Sequence, residues 1–181
     1  MQTLSTSVRA QQGVALVVAL MILLIISVLG ISAMRTSLFS SKIALGAQVG
    51  TMTFQASESA IAAVYDEARG DISDPNNVLG RALLQKSLGV VEIQDRCLTK
   101  TDLRKADICA NSDFMDSRDL LRAGSETIVK NQMQNVPGFE IGSWVYYEFV
   151  TAAHAEMPTY NVSNTNIQEF RRIAPGGGLG P

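Results

Sequence analysis

Charge is what the first part of this chain lacks. No Asp, Glu, Lys or Arg occurs from Val14 to Met34, and Ser27 and Ser32 are the only hydroxyls there. Proline is missing from Val14 to Arg69. An uncharged, proline-free apolar stretch of 21 residues is long enough, at about 1.5 Å per helical residue, to cross the hydrocarbon core of a bilayer, about 30 Å. The whole proline-free stretch would make a helix of about 84 Å. Histidine is almost absent as well: His154 is the single one. With no second histidine and no nucleophile candidate nearby, Ser/His/Asp and Cys/His catalysis find no support. There is no basic stripe either, since 15 Lys and Arg face 17 Asp and Glu for a net charge of −2, so nucleic acid is not an expected partner. Cysteine is limited to Cys97 and Cys109, with no CxxC and no zinc spacing.

What is present begins with the apolar run, and three readings compete for it. A secretory signal peptide would have a shorter apolar core followed by a small-residue cleavage site, for which Ile31-Ser32-Ala33 is only a weak match. A plain uncleaved anchor fits the length. The third reading is cleavage ahead of the run, between Gly13 and Val14, which leaves the apolar helix on the mature protein. Arg9 before the run and Arg35 after it say little about orientation.

From Arg35 the pattern turns amphipathic. Leu38, Leu45, Val49, Met52, Ala56, Ala60 and Ala63 fall on one stripe, which is expected to pack on a sheet, with Glu58, Asp66 and Glu67 off it and facing water or a neighbouring subunit. Gly30, Gly46 and Gly50 are candidate flex points, each costing about 1 kcal/mol against alanine within a helix. Gly70 and the turn formers Asp71–Asn77 end the helix. Beyond it, Val78–Leu88 reads as a short helix capped by Asn77, and Gly89–Arg96 as extended. A short helical stretch is expected between the cysteines and a second helix over Asn111–Ala123, broken by Gly124. Phe139–Val150 and a segment within Val162–Ala174 have strand composition. His154 is expected in a surface loop. Asp113, Asp116 and Asp119 recur every third residue, and a solvated helix face is favoured over a calcium site, because the EF-hand glycine and final glutamate are missing. If this part is exported, a Cys97–Cys109 disulfide would stabilise it by about 2–4 kcal/mol.

Gly13 followed by VALVVALMILLIISVLGISAMRTS, together with Phe54-Gln55-Ala56-Ser57-Glu58-Ser59-Ala60, resembles the start of type IV pilin-like proteins, and more narrowly the minor pilins of the PilX type. The resemblance covers about Gln12–Asp66; farther on only Tyr146–Ala152 is similar. It implies an α+β pilin fold with a long N-terminal helix on a small antiparallel sheet. The parts would be a leader over 1–13, a transmembrane and filament-core helix over 14–34, its amphipathic continuation over 35–70, a periplasmic domain over 71–174 and a flexible tail over 175–181. It further implies prepilin-peptidase cleavage after Gly13 and methylation of the new amino terminus at Val14. Two positions depart from the pilin pattern. Val14 stands where phenylalanine or methionine is usual, and Val18 stands where most pilins carry a glutamate.

In the pilins that this segment resembles, that glutamate pairs with the terminal ammonium of a neighbouring subunit. A carboxylate in an apolar helix is costly unless partnered, so the pair sets register. A subunit with Val18 offers its own amine but accepts none, which suits a filament's first or tip subunit. The resemblance thus implies a non-enzymatic assembly protein of the inner membrane and later the pilus tip. Its implied partners are other minor pilins, the major pilin, a tip adhesin, prepilin peptidase and the inner-membrane assembly platform, and it implies no cofactor and no metal. Two alternatives stand beside it: a minor pseudopilin of a type II secretion system, and a periplasmic enzyme on a plain membrane anchor.

Overall fold

The computed structural model describes residues 12–74 and 76–176. Helix α1 spans Gln12–Ala68, α2 Val78–Ser87, and four strands follow: β1 Gln94–Leu98, β2 Arg122–Asn135, β3 Trp144–Met157 and β4 Val162–Pro175. The chain divides into two compact units, Met1–Ala47 and Gln48–Pro181, and α1 contributes to both. The fold is α+β and pilin-like, a long N-terminal helix with a small antiparallel sheet.

Within the second unit the strands run in the order β1-β2-β3-β4, each antiparallel to the next. Alternation along the strands sends Leu98, Ala123, Val129, Tyr147, Phe149, Ala153, Ala155 and Met157 to the face covered by helices. One core cluster joins Val49, Ala56, Ala60 and Ile61 of α1 to Ala123, Ala153 and Ala155, and a second joins Val64 and Ala68 to α2 and to Val129, Val145 and Phe149. The first mixes large side chains, Leu98 and Met157 among them, with alanines, of which Ala60, Ala153 and Ala155 are completely buried. Enlarging one of these residues has no room to relax into. Ala60→Leu is expected to cost about 1–3 kcal/mol through overpacking, seen as a lowered denaturation midpoint of the full chain in detergent.

The apolar stripe of α1 is partly as expected. Val49, Ala56 and Ala60 are buried and Met52 and Ala63 half-buried, but Leu38 and Leu45 are exposed. Thr53, Ser57, Ile61 and Val64 complete the buried face. Glu67 also belongs to it and does not face water, because its charge has a partner. Its carboxylate receives Nε and Nη2 of Arg96 at 2.9 and 2.8 Å and the backbone N–H of Val78 at 2.7 Å. Arg96 donates further to the carbonyls of Asp95 and Asn76. Asn77 closes the knot: its Oδ1 accepts from Leu79 N and Gly80 N as the α2 cap, and its Nδ2 donates to Glu67 O. Gly80 is required here, since a Cβ would stand 2.2 Å from Ile72 O.

Three expectations fail between β1 and β3. The segments between the cysteines and over Asn111–Ala123 are turns, not helices, and β2 starts at Arg122 with Gly124 inside it. The cause is local: the Asp116 carboxylate accepts from the backbone N–H groups of Arg118, Leu120 and Leu121, and such bonds compete with a helix. Asp113, Asp116 and Asp119 therefore form no helix face. Asp113 pairs with Lys105, and Asp119, at φ 55°, pairs with Lys100. His154 lies in strand β3 rather than a loop, its Nδ1 3.0 Å from Thr165 Oγ1.

Candidate assembly surface

In the first unit α1 is a helix without a packed face. Every residue from Gly13 to Ala47 is exposed, and the most apolar 18-residue window of the helix has a mean hydropathy of 3.2. By length and composition it suffices to cross a membrane. Its hydroxyls do not spoil that surface. Ser27, Ser32 and Thr36 donate back to the carbonyls of Leu23, Val28 and Ser32 at 2.7, 3.0 and 3.0 Å. Each polar hydrogen is satisfied within the helix, as an apolar surrounding demands.

Val14 and Val18 lie one turn apart, with Ala15, Ala19 and Ile22 on the same shallow face. This face carries no ionisable side chain. The leader residues 1–11 lie outside the described residues, while Gly13 is the second residue of α1. The helix runs unbroken through Gly30, Gly46 and Gly50. A Cβ at any of the three would meet nothing within 4 Å. The chain's own packing therefore gives no reason for glycine at these positions.

The segment Phe54–Ala60 has a definite structural task. Ala56 and Ala60 share a core cluster with Ala123, Ala153 and Ala155 of the sheet, and Ser57 is fully buried between them. Ser57 Oγ lies 3.3 Å from Asn164 Oδ1 and accepts from Asn166 Nδ2 at 3.0 Å, which also donates to Glu58 Oε1 at 2.7 Å. The polar letters of the motif thus fasten the helix to strand β4.

Cys97 and Cys109 form a disulfide. It closes a loop that pairs with the free edge of β1, where Lys105 exchanges backbone hydrogen bonds with Cys97 at 2.8 and 3.1 Å. Gly124 makes room for it: a Cβ there would lie 3.1 Å from Cys109 Sγ and 3.0 Å from Arg96 O. Among the described residues no group of three or more His, Cys, Asp or Glu side chains is placed to hold a metal ion.

Residues 12–62 match the family model described as PilX N-terminal, so the match begins at the first residue of α1 and ends within it. No curated protein and no solved structure matches the chain. The apolar helix, the antiparallel sheet beside its second part and the matched segment agree: over residues 12–62 the chain carries the PilX N-terminal domain, and that match supports a type IV pilus minor pilin.

Proposed function

We propose that this chain is a minor pilin that primes filament assembly and resides at or near the filament tip. The observation that carries the reading is Val18, an apolar residue at the fifth position after Gly13, on a helix face with no carboxylate. Prepilin peptidase cuts between Gly13 and Val14, and the new amino terminus of Val14 is methylated. Before assembly, Val14–Met34 holds the protein in the inner membrane with the disulfide-bearing unit in the periplasm. That placement agrees with the Cys97–Cys109 disulfide, which persists in an oxidising compartment.

Transfer into the filament moves the apolar helix from lipid to a core of other apolar helices. With little hydrophobic gain between two such environments, packing and polar pairs decide where the subunit sits. The Val14 ammonium pairs with the glutamate of a subunit added after it. Without a carboxylate at position 18, this chain cannot receive the ammonium of a subunit ahead of it, so it enters first. Other minor pilins and the major pilin follow beneath it, and a tip adhesin rests above. Gly30, Gly46 and Gly50 let α1 loosen there, which fits their freedom from contacts within the chain.

Gold labelling of sheared filaments with an antibody to this chain tests the position. Label is expected at filament ends, and label distributed along the shafts would refute the tip assignment.

A further inference from the structure

The outward face of the sheet carries a charge arrangement that the fold does not call for. Antiparallel pairing sets Asp95 of β1 directly opposite Glu126 of β2. Both point away from α1, because their neighbours Arg96, Ser125 and Thr127 point toward it. Like charges directly opposite one another destabilise a strand pair. Nearby cations are engaged elsewhere: Arg122 with Glu156, Lys105 with Asp113, Lys130 with Glu169, and Arg96 with Glu67 on the other face. Among the described residues no salt bridge reaches Asp95 or Glu126. Burial first, then repulsion from Glu126 and Asp107, pushes the Asp95 pKa above its ordinary value.

The pair borders an open cavity of about 390 Å³ between the disulfide loop, at Ile108 and Cys109, and the strands. Gly124 and Ala152 keep its floor low. Beside it the face turns apolar. Ile128 of β2 pairs with Val150 of β3, and the next row of β3 and β4 pairs Ala152 with Ile167, which is 69% exposed. An unpaired anionic couple beside exposed aliphatic side chains is complementary to a cation on an apolar stem. A metal ion would neutralise the charge but leave Ile128 and Ile167 uncovered, and no third ligand accompanies the two carboxylates.

We propose that this face docks a neighbouring pilus subunit through a lysine or arginine side chain seated between Asp95 and Glu126, with an adjoining apolar residue covering Ile128 and Ile167. The proposal rests on the reading of the chain as an assembling pilin. The partner's charge relieves the Asp95–Glu126 repulsion, so docking gains from a strain the free subunit carries. Charge complementarity of this kind fixes register between partners and disfavours acidic competitors.

The test places a photo-crosslinking amino acid at Ile167 of the full-length chain in piliated cells, and separately at Phe39 on the exposed part of α1 as an assembly control. The Ile167 adduct is expected to be a pilus subunit joined at a peptide containing lysine or arginine. Neutralising the couple with Asp95→Asn and Glu126→Gln is expected to reduce that adduct about tenfold while leaving the Phe39 adduct unchanged. The double variant removes repulsion, so its denaturation midpoint should equal or exceed that of the parent. An Ile167 adduct indifferent to the double variant overturns the proposal, as does a Phe39 adduct with none at Ile167. Calcium chloride titrated into the full chain in detergent should give no binding heat; heat abolished by the double variant would assign the couple to a cation instead. Loss of both adducts would sink the assembly reading and the proposal with it.

Discussion

Glu67→Ala is expected to lower the stability of this protein by about 3–5 kcal/mol, the range for removing one partner of a buried ion pair. The loss is large because Arg96 stays behind. Its side chain is 4% exposed, and without Glu67 its Nε and one bond of Nη2 have no acceptor. The Val78 N–H loses its acceptor at the same time, at the first residue of α2. The end of α1, the cap of α2 and strand β1 are therefore expected to loosen together. Replacing both residues, Glu67→Ala with Arg96→Met, should recover part of the loss, since no buried charge is then stranded. Chemical denaturation of the full chain in detergent reads both variants. A Glu67→Ala loss below about 1 kcal/mol, the size of an exposed pair, would contradict this account.

Val18→Glu is expected to redistribute the protein rather than unfold it. The side chain is exposed and belongs to neither core cluster. A carboxylate here gives the subunit the acceptor it lacks, able to take the terminal ammonium of a subunit placed ahead of it. Gold label should then move from filament ends into the shafts, while the number of filaments per cell falls because initiation loses its dedicated first subunit. A carboxylate within an apolar helix costs about 2.5–3.5 kcal/mol at mid-bilayer by insertion scales, and less toward the helix end. Membrane anchoring by the rest of the run is therefore expected to survive. If Val18 were one more apolar residue in an anchor, the variant would keep both the label position and the filament count.

The chain announces some of this architecture and conceals the rest, for physical reasons. Lipid solvates no charge, so the apolar run is unbroken and plain to read. Asn77 ahead of Val78 states the α2 cap locally, and the structure has it bonded to Leu79 and Gly80 as a cap should be. Strand β2 is hidden by the composition of its buried face. Its inward residues Ala123, Ser125 and Thr127 are small or polar, and Thr127 meets Thr151 of β3 through a hydroxyl–hydroxyl bond, which leaves the period of two faint. The cysteine loop and the segment after it imitate helices in composition, but Asp102, Asp113 and Asp116 bind nearby backbone N–H groups and hold turns instead. Glu67 read as a surface charge because its partner Arg96 is 29 residues distant and belongs to another element. The carboxylate couple of the outward face was equally invisible, since only the register of β1 on β2 brings Asp95 and Glu126 together.

Filament entry and the meaning of Val18 both depend on the proposed processing at Gly13/Val14. The most direct test is the N-terminal mass spectrum of the native membrane protein, taken with and without prepilin peptidase. The account predicts a peptide that begins at methylated Val14, replaced by unprocessed chain in the peptidase knockout. Cleavage near Ala33, or an intact Met1 in both strains, would contradict it.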